Sequence, residues 1–536
     1  MTTNMWFPNI HVYYLALCAY LGIFLFGWET GVAGGVVSQT GFLKAFDVVN
    51  QKTHVSQVVV AILQAGAFFG AIIAAPISNR FGRKWTLSGF NAIILIGTVL
   101  QVLPGVGGNI GLIYGGRVVA GFGIGGITSI ASGYVSECSP KNARGRITGL
   151  FQIIVALGVM LSYFTNYGVS RRFKSGAMIW RIPFGLQFIP SGLMAVGLLF
   201  ATESPRWLSK RGRQQEALKN LAFLRRKSVN DEDVIHEMAE INAAVREEEE
   251  IQVSWRTCIL EKGTNVRFFI AIMMFVFQQW SGQNMVGYYA PQIFESIGYT
   301  GATAALLASG IYGVVKFVAT LLWVSFGAES IGRKWSLFGS AVSMGVLFYI
   351  IGALLKEYPP DPNAANPSDA SKAMAALIYI FSVAYSSGVG PVPWLYVSEI
   401  FSNGTRHLGL ATASATQWAF NCAQAFAAPV AIKNLGYKVF FTFGTINIAG
   451  FAVFIFFLPE TKGRSLEEMD VIFGSVTKEQ RDRDTKAAEG RIDGENTAAY
   501  QGYNGEVDVE GKGSGTASVE EYEKDVSAPH TFTRDA

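Results

Sequence analysis

Three charged side chains stand alone in long apolar stretches. Glu29 is the only charge between His11 and Lys44, Arg117 the only one between Lys84 and Glu137, and Lys316 the only one between Glu295 and Glu329. A charge at bilayer depth costs at least ~2.5–3.5 kcal/mol, so a chain that keeps one there is expected to use it. A carboxylate beside a guanidinium stays ionised, and one drawn away from it in a dry cavity takes up a proton. Glu29 and Arg117 both fall towards the outer halves of their apolar runs, where they could pair. Proton binding and release would then follow a conformational cycle; the plainer alternative is a static ion pair that fixes helix packing. Lys316 lies about midway along its run, too deep to reach the interface easily. Its ammonium would suit a substrate carboxylate, or else donate to the hydroxyls of a neutral ligand.

Amides add a second chemistry. Gln152, Gln278, Gln279, Asn284 and Asn421 interrupt apolar helices, as does Gln417. An amide offers two donors and an acceptor, which matches hydroxyls that both donate and accept. A lone amide in a span can equally be glue between helices.

The elements that must carry these residues are membrane spans. The 536-residue chain is 50% hydrophobic and only 15% charged, against about 25% charge for a soluble domain, with mean hydropathy +0.30. Crossing a bilayer takes about 20 apolar residues as a helix. Twelve such runs are predicted, at 12–38, 55–78, 86–104, 110–136, 147–168, 181–202, 266–290, 302–327, 336–355, 373–400, 407–431 and 437–458. Lys and Arg in the short loops favour an inside N-terminus, although Arg171, Arg172 and Lys174 go against the rule. Residues 208–250 read as short amphipathic helices in a solvated linker, with Leu218, Leu221 and Leu224 interleaved with charge and Asn230 or Asp231 as a cap. The tail beyond about 475 is predicted to be disordered. Four scattered cysteines make no disulfide framework or zinc site, and Asn403-Gly404-Thr405 reads as a chance glycosylation triplet. No nucleotide loop, nucleophile triad or metal cluster suggests an enzyme, and the glycines at 121–126 read as a helix-packing surface.

The chain also spells short words twice. Gly82-Arg83-Lys84-Trp85 returns as Gly332-Arg333-Lys334-Trp335, an offset of 250 residues. Tyr134-Val135-Ser136-Glu137 returns as Tyr396-Val397-Ser398-Glu399, and Glu203-Ser204-Pro205-Arg206 is echoed by Glu460-Thr461-Lys462-Gly463. Near-constant offsets describe two equivalent bundles, which in membrane carriers move against one another.

Together these pieces resemble the major facilitator superfamily and its sugar porter branch. The resemblance rests on Asn79-Arg80-Phe81-Gly82-Arg83-Lys84, Gly116-Arg117 with Gly121, Gly123 and Gly125, and Glu203-Ser204-Pro205-Arg206. It continues in Gln278-Gln279-Trp280-Ser281-Gly282-Gln283-Asn284 with Tyr288-Tyr289, Gly390-Pro391-Val392-Pro393-Trp394 and Pro459-Glu460-Thr461-Lys462-Gly463, and covers about residues 10–470. Asn79 and Ser330 depart from the family's usual Asp and Arg. The resemblance implies an all-α membrane protein of the major facilitator fold, with twelve transmembrane helices in two pseudo-symmetric six-helix bundles. It implies proton coupling at Glu29 with Arg117, where proton-coupled members carry Asp. It places substrate contacts at Gln152, Gln278, Gln279, Asn284, Lys316, Trp394, Gln417, Trp418 and Asn421, and an outer gate at Tyr288 and Tyr289. It implies inner-gate salt bridges across the bundles, formed while the carrier faces outward, among Arg83, Glu137, Arg144, Glu203, Arg206, Arg333, Glu399, Arg406 and Glu460. Some fungal members, including quinate permeases, are similar in having Lys at position 316.

The expected organisation is a cytoplasmic N-terminus (1–11), a first bundle (12–202), a cytoplasmic linker (203–264), a second bundle (265–459) and a mostly disordered cytoplasmic tail (460–536). The expected activity is proton-coupled import of a monosaccharide across the plasma membrane by alternating access, with an acidic sugar such as D-galacturonate first. A neutral hexose or pentose symporter, a quinate permease, and a facilitative uniporter or sugar sensor are the alternatives. No metal and no cofactor beyond the coupling proton are expected. The expected partners are the sugar and the bilayer, without nucleic acid, and the chain is expected to be monomeric.

Overall fold

The computed structural model describes residues 9–140, 143–250, 263–299, 301–327, 331–361, 366–401, 405–464 and 466–474. The predicted disordered tail from 475 and the Asn403-Gly404 part of the glycosylation triplet lie outside them. The first six spans are Ile10–Ser38, Lys52–Phe81, Arg83–Val102, Gly111–Cys138, Arg144–Arg172 and a sixth in two pieces, Met178–Gly185 and Phe188–Phe200. The seventh comes in three pieces, Thr264–Gln279, Gln283–Tyr288 and Ala290–Ser296. Then follow Ala302–Leu322, Arg333–Glu357, a tenth in two pieces (Asp369–Ser386 and Val392–Ile400), Arg406–Leu435, and a twelfth running from Lys438 to Phe456. Among the described residues nine of these are long and apolar enough to cross a membrane unaided. The broken seventh and tenth and the amide-rich eleventh complete the twelve.

The breaks have local causes. Gly282 adopts φ +89 between the first two pieces of the seventh span, and Pro291 starts its third piece. In the tenth, Pro391 and Pro393 follow two glycines, and a proline removes a helix donor and clashes with the preceding turn. The spans expected at 266–290, with a kink at Asn284, and at 373–400 are thus each divided into separate helices. Both breaks fall beside the polar residues of the candidate site.

Within the first bundle the second and fourth spans pack tightly, as do the third with the fourth and the first with the fifth. The glycines at 121–126 permit this: a Cβ on Gly121 or Gly125 would run into the backbone of Leu63 or Ala67. The second bundle packs its ninth span on the tenth and twelfth, and its seventh on the eleventh. The bundles meet along the fifth and eighth spans and along the second and eleventh, a pseudo-symmetric arrangement.

The repeated words form the same clamp in each half. Glu203 accepts hydrogen bonds from the backbone N–H of Arg83 (2.9 Å) and Lys84 (3.2 Å), and Glu460 from those of Arg333 (2.9 Å) and Lys334 (3.1 Å). A carboxylate at a helix N-terminus answers orphan donors and the positive end of the helix dipole. The guanidinium of Arg83 meets Glu137 at 2.9 Å, and that of Arg333 meets Glu399 at 2.8 Å. Ser204 and Thr461 close each ring on those same glutamates, at 2.5 and 2.6 Å. Burial pushes the Glu203 carboxyl up despite these N–H donors. Glu460 and Thr461, assigned from sequence to the tail, are thus structural parts of the second clamp.

Gly82 and Gly332 enter the clamps at φ +94, ψ 169 and φ +92, ψ 162, a region nearly exclusive to glycine that costs other residues about 1–3 kcal/mol. A Cβ on Gly82 would also displace the Glu203 carboxylate. Gly82→Ala is expected to lower the thermal unfolding midpoint of the detergent-purified protein by several degrees, whereas Gly89→Ala, with nothing within 4 Å of its Cβ, leaves it unchanged. Equal midpoints for the two variants would remove the clamp as a source of stability.

The linker is more than a solvated spacer. Pro205–Lys210, Gln214–Arg225 and Glu232–Glu250 are helices that bury Trp207, Leu208, Leu221, Val234 and Met238 together, while Leu224 joins the core of the first bundle. The apolar stripe that read as a solvated helix face is what docks them: burying a leucine is worth about 1.5–3 kcal/mol. Arg225 grips Glu237 at 2.6 Å and donates to the Cys138 carbonyl at 2.9 Å. Trp207 and Arg211 both donate to the Asn79 carbonyl. Asp231, rather than Asn230, accepts at the next helix start, from the Asp233 N–H at 3.1 Å.

Candidate functional site

The first and fourth spans bring Glu29 and Arg117 into a direct ion pair. Both are buried, at 1% and 0% exposure. Arg117 also donates its Nε to the Val59 carbonyl at 2.8 Å and lies over the Phe184 ring. One Glu29 oxygen and one Arg117 nitrogen keep no hydrogen-bond partner among the described residues. Such a pair is tightly held yet incompletely satisfied, and losing either partner leaves a bare buried charge.

A hydrogen-bonded relay runs through the breaks of the second bundle. Asn284 donates to Gln279 (2.5 Å), Gln279 donates to Gln278 (3.2 Å), and Gln278 donates to the carbonyls of Val389 (2.8 Å) and Gly390 (3.0 Å). The breaks explain this, because a helix interrupted at 388–391 exposes carbonyls that continuous helix would have consumed. The donors of Gln278 are therefore committed to the tenth span, while Asn284, at the open end of the relay, is only half-buried. Asn421 donates to the Tyr288 hydroxyl at 3.0 Å. The carbonyl oxygens of Asn421 and Gln417, one helical turn apart, are buried without partners. Gln152 stands half-buried on the fifth span and is not joined to the relay.

Lys316 is 8% exposed. Its ammonium lies 5.6 Å from the centroid of the Tyr385 ring, and no other charge among the described residues acts on it. The two tryptophans are set apart: Trp394 packs edge-on against Phe275 within the second bundle, and Trp418 reaches Phe26 of the first span.

At the end of the bundles away from the linker, the halves touch closely. Tyr163 donates to the Gly287 carbonyl, Lys52 pairs with Glu295 at 3.1 Å, and Gln57 donates to the Phe426 carbonyl at 2.7 Å. Gly34 lies directly against the Tyr288 carbonyl. Tyr289 donates to the Ala425 carbonyl at 2.6 Å, inside its own bundle. At the linker end, the fourth span and the second piece of the tenth make no comparable contact among the described residues. The ion pairs across the bundles are expected of the outward-facing carrier; here the described partners of the clamp residues lie within each half. Arg83 and Arg333 pair with Glu137 and Glu399 of their own halves, and Glu203 and Glu460 are held by backbone N–H groups. Arg144 donates to the Ser139 carbonyl at 3.5 Å, and Arg206 and Arg406 stand near enough to feel one another's charge. The physical reason is local: helix N-termini and same-bundle arginines offer these glutamates partners within their own halves.

Sequence reasoning missed several polar residues. Gln283 donates to the Tyr312 hydroxyl at 2.6 Å, and Asn166 donates to the Val32 carbonyl at 3.2 Å. Gln64 and Gln187 are buried, and neither finds a partner for its side-chain oxygen. Each interrupts an apolar run, the same signal that identified Gln152.

Residues 15–473 match the family described as sugar (and other) transporter. A probable quinate permease of Neosartorya fischeri is 35% identical over 480 residues, covering 87% of this chain and 88% of the relative. The quinate permease of Emericella nidulans is 33% identical over 476 residues, covering 87% and 89%. Among solved structures, the inward-open xylose transporter XylE from E. coli matches with a TM-score of 0.71 and 25% identity, covering 86% of this chain and 99% of that one. The proton:xylose symporter XylE bound to 6-bromo-6-deoxy-D-glucose matches with a TM-score of 0.71 and 26% identity, covering 87% and 100%. The twin clamps, the paired six-helix bundles and these matches lead to one conclusion: the chain belongs to the sugar porter family of the major facilitator superfamily and is a membrane transporter rather than an enzyme.

Proposed function

We propose that this protein is a proton-coupled importer of a polyhydroxylated monocarboxylate, a cyclic hydroxy acid such as quinate or an acidic sugar such as D-galacturonate. The observation that carries the reading is Lys316, an ammonium buried against Tyr385 of the broken tenth span with no acid among the described residues to neutralise it. A bound carboxylate would supply that charge, and hydroxyls would engage the free ends of Asn284, Gln417 and Asn421. Quinate stands ahead of D-galacturonate, because the relatives named above are quinate permeases. The dry Glu29–Arg117 pair supports proton coupling, since its separation requires a proton.

The linker and both termini face the cytoplasm of a plasma-membrane protein on this reading. The structure, closed at the far end, is then an inward-facing state. The bundles rock about the contacts between the fifth and eighth and the second and eleventh spans, with the clamps keeping each half rigid. The chain acts as a monomer, and the proton is its only coupling ion.

Charge movement provides the test. A monocarboxylate that enters with one proton carries no net charge, whereas a neutral sugar with one proton carries one. Purified protein in liposomes with an imposed inward proton gradient is expected to accumulate quinate or galacturonate without an electrical signal. Lys316→Asn is expected to weaken these acids at least tenfold while changing neutral sugars less than twofold. Equal loss for acids and neutral sugars would leave Lys316 as a hydroxyl donor in a neutral-sugar symporter, the second reading, favoured by the amide relay.

A further inference from the structure

Lys316 sits one turn after Tyr312 and one turn before Thr320 on the eighth span, so all three point to one side of the helix. That side meets the tenth span. The Thr320 hydroxyl reaches that of Ser386 at 3.3 Å, and the Tyr379 hydroxyl donates to the Ala308 carbonyl at 3.3 Å. The Tyr385 ring lies between these two contacts, where it meets the ammonium of Lys316.

Tyr385 is also the last turn before the tenth span breaks. Its carbonyl accepts from the N–H of Gly388 (3.3 Å) and Gly390 (2.9 Å). Its ring folds back over Gly390, where an added Cβ would press on it at 3.0 Å. The Gly390 carbonyl in turn accepts from Gln278, the anchor of the amide relay. One turn of the tenth span thus fixes both the ring beneath the ammonium and the start of the amide row.

We propose that Tyr385 is a positioning residue for carboxylate selectivity: its ring face holds the Lys316 ammonium in the empty site, at the end of the amide relay, ready for an anionic substrate. This deepens the acidic-substrate reading and rests on it. An aromatic face attracts a cation through its quadrupole, strongly where water is excluded. It does so without the full negative charge of an aspartate or glutamate, which would neutralise the lysine and repel a carboxylate. A ring therefore restrains the ammonium while leaving its charge available.

The test measures binding of quinate and of its uncharged carboxamide to full-length protein in liposomes. Lys316→Asn is expected to weaken quinate at least tenfold and the carboxamide less than twofold. Tyr385→Phe, which keeps the ring face, is expected to match the native protein within twofold for both. Tyr385→Met and Tyr385→Leu, which remove the face, are expected to weaken quinate about fivefold or more and to spare the carboxamide. Added to Lys316→Asn, Tyr385→Met is expected to change the quinate-to-carboxamide ratio no further. If Tyr385→Met weakens both ligands equally, or Tyr385→Phe is as damaging as Tyr385→Met, while Lys316→Asn remains selective, the positioning role is overturned and the acidic-substrate reading stands. If Lys316→Asn is itself unselective, that reading falls first.

Discussion

Glu29→Gln is expected to abolish accumulation of substrate against its gradient while exchange of external for internal substrate continues. The amide keeps the size of the carboxylate and an oxygen to accept from Arg117, so the first and fourth spans can still pack. It removes both the charge and the site for a proton. In the native protein the two charges are buried together. Breaking a buried pair and leaving one charge bare costs about 3–5 kcal/mol, a factor of roughly 10² to 10³ or more at 1.4 kcal/mol per tenfold. On the proposed reading, protonation of Glu29 removes one of the two bare charges and so makes a conformational step dependent on a proton. With Gln at position 29 that dependence is absent. Uptake in liposomes with and without a pH gradient, alongside counterflow, checks this. Undiminished accumulation would reduce the pair to a packing device.

Gly34→Ala is expected to hold the carrier with its far end open and to reduce transport at least tenfold. Gly34 faces the Tyr288 carbonyl across the two bundles, and an added Cβ would overlap that oxygen. The obstruction is backbone, which has no rotamer to yield, and close-packed interfaces tolerate little added volume. The contact joins the two bundles at the closed far end, so the cost is expected to fall on this closed arrangement, inward-facing on the proposed reading, while the separate bundles fold unchanged. A thiol reagent applied from outside to a single cysteine near Lys52 is expected to react faster in Gly34→Ala than in the native sequence background. Gly133→Ala, with nothing within 4 Å of its Cβ, serves as the control. Native rates of labelling and transport in Gly34→Ala would mean that the far end need not close this tightly.

Much of the architecture was legible in the sequence because a bilayer is a simple solvent. Apolar length announces the spans, and an isolated charge stands out against them. Glu29 and Arg117, 88 positions apart, could be matched as opposite charges at similar depth on antiparallel runs. The paired words around Gly82 and Gly332 were legible as a repeat, and their clamps prove to be the same local structure built twice. The breaks at Gly282 and Pro391 were harder to read, because apolar runs continue on both sides of them.

Composition and depth determined by themselves that the chain crosses a membrane about twelve times, with a carboxylate, a guanidinium and an ammonium kept out of water, and the repeated words that it does so in two related halves. Only the tertiary structure decided whom those groups meet. It spent the Gln278 donors on carbonyls freed by a broken helix, kept the clamp glutamates within their own bundles, and set Lys316 over Tyr385 rather than beside an acid among the described residues. The physical reason is that transfer into a bilayer depends on the type of each residue along its own segment. A hydrogen bond or a cation over a ring depends instead on distances of a few ångströms between segments remote in sequence, and those are set by packing.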